Sequence, residues 1–536
     1  MTSRRTPLRH IFDGGWSTDL SQRTLAGPDN VGLVRVPYLT RAENLVYEFD
    51  GGLRKAPGCA KVNASALESG ARINGFYDAW FQGSVGSPVQ HRVIAIGEKI
   101  KADDADGVFA DIITGLADGG QPSFCMLEDV LVIGITGGDP PQYYDGSTAG
   151  PLPGSPPNFT ICCTHANRVW AAGDVANPSA LYYSPLLDPK NTTGEGWGRI
   201  NVDPSDGDRI TAIASYKGEL IVFKGPYKGS IHRIAGTAPT GSDGYRRTRW
   251  IERIGAASQN SLFFFNDDLG FVAFDATVRS LKATAAYGDF NEIALSRTIQ
   301  KFLRRANFTR LSQVSVASGA DVGFVLMSLP IDGSTTNNAV IGMDYRFADA
   351  NGQGMRWFYW PAYEDLCECI ADGIDPADSN KRIYFAGGND GFVRRLLQEV
   401  RSIDTSTPIA MRASTPFFDY GEPFSKKTLG EGYLQFSPRN NGDIAFLVRR
   451  DGQAPQQFGI NQSAGDPLGT VDGPNFTLNS STLSESNVIE KFFEADQAGE
   501  FRQVQYEIQN SALGEDVEVH GFGVSAEPGG WSTEND

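Results

Sequence analysis

Between residues 161 and 236 the chain is a succession of short strand-like runs cut by Gly, Asp, Asn and Pro turns. Arg168–Asp174 reads as a strand with its turn, and Ala180–Ser184 reads as the next. Ile210–Tyr216 and Glu219–Lys224 follow, joined by the tight link Lys217-Gly218. Apolar runs of this length, rich in β-branched and aromatic residues and bounded by turn formers, are the pattern of an antiparallel sheet. Four such strands in about forty residues make one blade of a β-propeller.

The same unit recurs along the chain, which predicts an all-β protein dominated by a β-propeller of six to seven blades. Candidate blades run 72–114, 121–154, 158–203, 208–255 and 256–287. A sixth resumes at Leu311 and ends in Arg356–Trp360 as its outer strand, and a seventh covers 364–397. Between the fifth and sixth, Ile293, Leu295, Ile299, Phe302 and Leu303 recur at helical spacing, so a helix inserted over 290–307 is expected. After residue 400 the pattern changes to longer alternating strands, among them Asp443–Arg450, Phe501–Asn510 and Asp516–Val524. Period-two alternation of this kind suits a β-sandwich over 401–525. The expected organisation is then an N-terminal arm (1–40), a propeller (41–400) whose ring the N-terminal strands close, the sandwich, and a flexible tail (526–536).

Two segments resemble a known family. "NRVWAAGD … PSALYYSPLLDP … WGRINVDPSDGDRITAIASYKGELIVFK" is similar to the propeller region of tail nozzle (hub, or DNA-stabilisation) proteins of short-tailed bacteriophages. Asn44–Gly58 is like that family's "N…DGGLRKRPG" opening, with Ala56 where a basic residue is more usual. The likeness covers roughly residues 40–400. It implies a structural virion protein, a homohexameric ring at the end of the tail that retains packaged DNA and conducts it during ejection. It also implies partners: head-tail adaptor proteins, tail fibres or tailspikes, and double-stranded DNA passing through the lumen without sequence-specific contacts. No residue in the likeness is catalytic, so no enzyme activity, cofactor, catalytic residue or metal ligand is expected. The alternative is a propeller enzyme or carbohydrate-binding module acting on a polysaccharide.

The formal net charge is −17, from 64 acidic and 47 basic residues. A protein that grips phosphates should be basic, whereas an acidic wall lets a polyanion slide. Acidity also simply keeps a protein soluble, so the charge favours the conduit only weakly. Three acidic clusters stand out: Asp103/Asp104/Asp106, Asp203/Asp206/Asp208 and Asp267/Asp268. The second resembles a calcium loop in composition but lacks the Glu at the twelfth position. Asp-Gly and Asp-Pro pairs are also what hairpin turns require, and we read all three clusters as turns. Glycosidase chemistry would need two carboxylates a few ångströms apart, which sequence does not reveal.

Basic runs at Tyr245–Trp250, Lys301–Arg305 and Arg394-Arg395 mix cations with aromatics, as nucleic-acid binders do. Outward Arg residues that shield strand edges explain them equally well, and that is the reading taken. The five His (10, 91, 165, 232, 520) are scattered. The six Cys (59, 125, 162, 163, 367, 369) do not match zinc-knuckle spacing and read as reduced, partly buried thiols. Cys367 and Cys369 would share a strand face, leaving a metal or a disulfide open there. No run approaches the length of a membrane span, and the N-terminus lacks the apolar core of a secretion signal. The expected location is the virion tail, assembled in the bacterial host cytoplasm.

Overall fold

The structure, a computed structural model, describes residues 6–10, 12, 14–19 and 38–528, apart from interruptions at 50, 84–87, 105, 194–195, 289–293, 320, 349–353, 377–380, 421–423, 441, 463–487 and 496–498. The chain divides into two compact units: 1–60 with 354–362 and 397–536, and 61–353 with 363–396.

The second unit is a β-propeller. Four consecutive four-stranded antiparallel sheets cover Ile73–Thr114, Pro122–Pro151, Ile161–Asn201 and Arg209–Glu252. A three-stranded sheet follows (Leu262–Ser280), and then the strand sets Ser315–Asp344 and Cys369–Gln398 complete a series of seven blades. Within each blade the strands run in chain order, because short turns can join only antiparallel neighbours. The apolar faces pack between blades: Trp170 and Leu181 of the third meet Ile213, Val222 and Ile234 of the fourth. Between the first and last blades, Ile73, Phe76 and Ile94 pack with Ile383, Phe385 and Val393, which closes the ring. The closure also takes in a short upstream segment. The Val62 N–H donates to Val393 O, and Asn63 Oδ1 accepts from the Val393 N–H.

Each inner strand has a partner on one side only, and an unpaired edge in a protein interior is costly. Side chains from the neighbouring blade cap these edges. Ser123 Oγ donates to Cys162 O (3.2 Å) and accepts from the Cys162 N–H (3.0 Å). Ser315 does the same for Ile370, with both bonds at 3.0 Å. The Gln259 amide accepts from Ile213 N–H (2.8 Å) and donates to Ile213 O (2.9 Å). Asp78 accepts from the Ile374 N–H (2.9 Å), while Gln90 donates to Ile374 O (2.8 Å). A hydroxyl or primary amide can give and take one hydrogen bond at once, so each mimics the missing strand.

The first unit is a β-sandwich. One sheet orders Ile489–Glu494, Lys427–Pro438, Val517–Pro528, Leu53–Lys55 and Leu45–Tyr47, with Thr6–His10 also paired along Val517–Pro528. The facing strands include Arg41–Glu43, Met411–Ser414, Val504–Asn510 and Gly442–Arg450. Their aromatic core sets Phe446 and Tyr506 each 5.2 Å from Phe522. His10 stacks on the same Phe522 at 5.0 Å and an interplanar angle of 8°.

Several boundaries differ from expectation. Arg41–Glu43, Leu45–Tyr47 and Leu53–Lys55, expected in the propeller, pair in the sandwich, where Leu53 and Arg54 register with Val519 and Glu518, whereas Gly58–Lys61 follows Val393–Gln398 in the order of its sheet, as expected of an N-terminal strand that closes the ring. Arg356–Tyr359 follows Ala339–Asp344 in the order of its sheet, as expected of the outer strand of blade six, and its Tyr359 also pairs in parallel with Glu43. The arm is not loose where described: Thr6–His10 is a strand, and Phe12 and Trp16 are buried. The strand ending at Pro528 takes in the start of the expected tail, and 529–536 lie outside the described residues. Residues 461–487, whose Ser, Asn, Gly and Thr content reads as a long loop, lie outside them from 463 on. The inserted helix is shifted. A two-turn helix occupies Leu281–Tyr287, where Ser280 accepts from the Ala283 N–H as N-cap. Of the apolar residues read as helical, Ile299, Phe302 and Leu303 lie buried on 3-10 and single α turns at Arg297–Leu303, Leu295 precedes them, and Ile293 lies outside the described residues.

Two outcomes follow from this packing. Gln259→Ala strands the N–H and C=O of Ile213 and should cost about 1–3 kcal/mol in denaturant unfolding. Ser123→Ala and Ser315→Ala share no partner, so the double variant should lose close to the sum of the singles. Burial lowers His10 to about 3 from its ordinary value near 6.5. The unfolded chain therefore takes up a proton that the folded chain refuses. Stability is full above pH 6.5 and falls by about 1.4 kcal/mol per pH unit as the pH drops toward 3. His10→Phe should flatten that acid limb in melts recorded between pH 7 and pH 4.

Candidate functional site

The loop 202–208, between blades three and four, is the one read as calcium-like. At its centre stands Lys224, a fully buried side chain whose Nζ donates to Val202 O (2.8 Å), Asp203 O (2.8 Å), Asp206 Oδ2 (2.7 Å) and Ser179 Oγ (3.1 Å). Two carbonyls, a hydroxyl and a carboxylate around one cation are the ligand types a calcium ion would gather. The chain supplies the cation itself. Asp208 accepts from three successive backbone amides, at Tyr227 (2.7 Å), Lys228 (3.0 Å) and Gly229 (2.8 Å). Asp203 meets Arg247 and Arg249. Burial alone would raise its carboxyl, but the two guanidiniums outweigh this and lower it to about 2.

The other clusters are spent in the same way. Asp103 holds the buried Arg92 (2.7 Å) and the Gly107 N–H (2.9 Å), and Asp106 caps the Val108 N–H (2.8 Å). Asp104, largely exposed, lies 3.3 Å from His91 Nε2, whose Nδ1 meets the Tyr144 hydroxyl at 2.7 Å. Asp267 pairs with Lys217 (2.8 Å), and Asp268 accepts from the Leu269 N–H (2.8 Å).

The basic runs are similarly committed. Arg305 forms a two-bond pair with Asp332 and sits 5.1 Å over the Phe302 ring. Arg394 is bound twice by Asp390, and Arg395 reaches Asp375 at 3.2 Å. His10, His165 and His232 all have pKa values lowered chiefly by burial, which leaves them neutral packing groups. The six thiols are free, five of them buried, and burial pushes Cys369 up to about 12. Among the described residues no group of three or more His, Cys, Asp or Glu is arranged to hold a metal, and no helix is long and apolar enough to cross a membrane.

The propeller axis holds what the sequence did not disclose. A cavity of about 320 Å³ opens where the inner strands begin, lined in part by Asp78, Asp372, Asn260, Tyr77 and Phe124. The Asn260 amide spans the ring, donating to Pro122 O of blade two at 3.3 Å. Asp372, an exposed side chain at the cavity's lining, accepts from the Gly319 N–H (2.6 Å). Desolvation raises the pKa of both carboxyls, against the hydrogen bonds they accept. Asp78 and Asp372 each stand singly inside a strand, and Asp in a strand interior is unfavourable. That misfit, in Phe76-Tyr77-Asp78-Ala79 and Ile370-Ala371-Asp372-Gly373, is the signal that could have found them.

No protein-family model matches the chain, and no curated protein does. Solved structures with related folds include YCF48 bound to a D1 peptide, at 13% identity and a TM-score of 0.36, covering 67% of this chain and 98% of that one. The extracellular domain of the hybrid two component system BT4673 from B. thetaiotaomicron matches at 10% identity and 0.30, covering 67% of this chain and 50% of that one. A protein described as a glycoside hydrolase matches at 10% identity and 0.23, covering 87% and 99%. At such scores these likenesses carry no argument about function, and the propeller rests on its own strand pairing.

Lys224→Met should remove the cation from a cage of fixed oxygens and leave Asp206 unpaired. The expected loss is about 3 kcal/mol in denaturant unfolding, and Lys224→Arg should not restore it, since a planar fork does not fit a point-charge cage.

Proposed function

We propose that the chain is a structural virion protein, the tail nozzle or hub subunit of a short-tailed phage. Six copies form a ring that retains packaged DNA and conducts it during ejection. The supporting observation is where the family-like segments fall. In 167–224, Asp174, Ser179, Asp206, Asp208 and Lys224 all serve as latches: Asp174, for example, holds the Ala176 N–H (2.9 Å) and the Tyr182 hydroxyl (2.7 Å). In 44–58, Asn44 donates to Ala410 O (2.7 Å), Arg54 pairs with Asp516 (2.6 Å), and Lys55 Nζ donates to Asn510 Oδ1 (2.7 Å). The resemblance therefore lies on residues that fix architecture, which is what a structural family would keep in common.

In this reading the duplex passes between subunits. A cavity of about 320 Å³ spanned by a side chain is far too small for B-DNA, whose major groove alone is about 12 Å wide. Head-tail adaptor proteins and tail fibres or tailspikes are the proposed protein partners. The aromatic residues of the N-terminal segment are not offered to a neighbouring subunit in this reading, because Phe12 and Trp16 are buried within the chain's own first unit.

Electron microscopy of the purified full chain should show rings with a central pore, and monomers alone at every concentration would refute the assignment. Duplex DNA should bind weakly in an anisotropy titration, with affinity fading steeply as salt is added, because Asp203, Asp332, Asp375 and Asp390 neutralise many of the clustered arginines. Tight, sequence-specific binding at physiological salt would mark a DNA-recognition protein instead.

A further inference from the structure

We infer that the axial cavity of the propeller is a binding site for one small, uncharged, hydroxyl-rich molecule, of the size and chemistry of a single sugar residue. The inference stands on the second unit alone and does not depend on ring assembly. Its volume, about 320 Å³, lies at the lower end of the range of small-molecule pockets and is far above that of a bound water.

The wall has the two components such a ligand needs. One is apolar and flat: the rings of Tyr77 and Phe124 stack with centroids 5.5 Å apart at 29°, a surface for the C–H face of a pyranose. The other is polar and convergent. Asp372 is exposed at the lining, and its Oδ1 accepts from the Gly319 N–H. The Asn260 amide is held across the axis by Pro122 O. Asp78 is oriented by Gln90 (2.7 Å) and by the Ile374 N–H. These groups are already locked by the contacts that hold the ring together, so a ligand would pay little to order them.

Charge selects among ligand classes. Two carboxyl groups in one enclosure repel phosphates and other anions. Desolvation raises the pKa of both groups, which weakens their hold on a cation. Carboxyls and a primary amide between them take and give hydrogen bonds, as a sugar hydroxyl also does. The lining therefore matches a neutral ligand whose donors and acceptors alternate.

Saturation-transfer NMR on the full chain tests this with the methyl glycosides of glucose, galactose and N-acetylglucosamine, and with 1,6-diaminohexane and inorganic phosphate as competing chemistries. At least one glycoside should receive saturation, and the diamine and phosphate should not displace it. Asp372→Ala should weaken glycoside binding by about tenfold or more, with Asp372→Asn restoring part of it. Ala371→Phe, placed on the lining, should abolish it, while Asp104→Ala, on an exposed loop, should leave it unchanged. Near-ultraviolet circular dichroism of each variant confirms that the ring is intact, and a variant that fails this check is replaced by Asn260→Ala, expected to weaken binding in the same direction. Saturation of no glycoside by the folded wild-type chain would overturn the inference. So would displacement by the diamine, or binding that Ala371→Phe leaves untouched.

Discussion

The propeller depends on how its inner strand edges are closed. A ring of sheets leaves the first strand of each blade with one hydrogen-bonding edge that no strand covers. Here a side chain from an adjacent blade supplies both halves of the missing pair, by hydroxyl at Ser123 and Ser315 and by primary amide at Gln259. The apolar packing between blades is strong but non-directional. The caps add direction, fixing which backbone unit of one blade meets which residue of the next. They also explain why the axis is polar and narrow: the groups that close the edges occupy it.

Internal charge follows the same logic. The acidic loops look on paper like metal or catalytic sites, yet their carboxylates are consumed by backbone amides and by the chain's own cations. Asp208 receives three consecutive amides, and Asp103 neutralises an arginine inside the first blade. In the sandwich, Arg54 and Arg401 both reach Asp516. Much of the basic content is thus engaged inside the fold, and the surplus of acid is left to the surface.

The blade series was legible in the sequence because strand alternation and Asp/Gly turns are local signals, and the positions read for blades one to five agree closely with the sheets. What was not legible was pairing at long range. Arg41–Glu43 and Leu53–Lys55 look like any propeller strands, and only their partners, Met411–Ser414 and Val517–Pro528, place them in the sandwich. The helix near 290 was misplaced because buried apolar residues at spacings of three and four suit 3-10 turns as well as an α-helix. At the axis, Ser123, Gln259 and Ser315 are ordinary polar residues in sequence. Their role exists only once the neighbouring blade is present. Asp78 and Asp372, nearly three hundred positions apart, share a cavity for the same reason.

The Lys224 cage has a consequence beyond the stability of its loop. A loop shaped by calcium is only as rigid as the medium is rich in calcium, and it softens when a chelator or dilution strips the ion away. Here the positive charge is tethered to the backbone, so its local concentration is fixed by covalent geometry and no ion has to be recruited from outside. The junction between blades three and four therefore keeps one shape whether divalent metal is abundant or scarce.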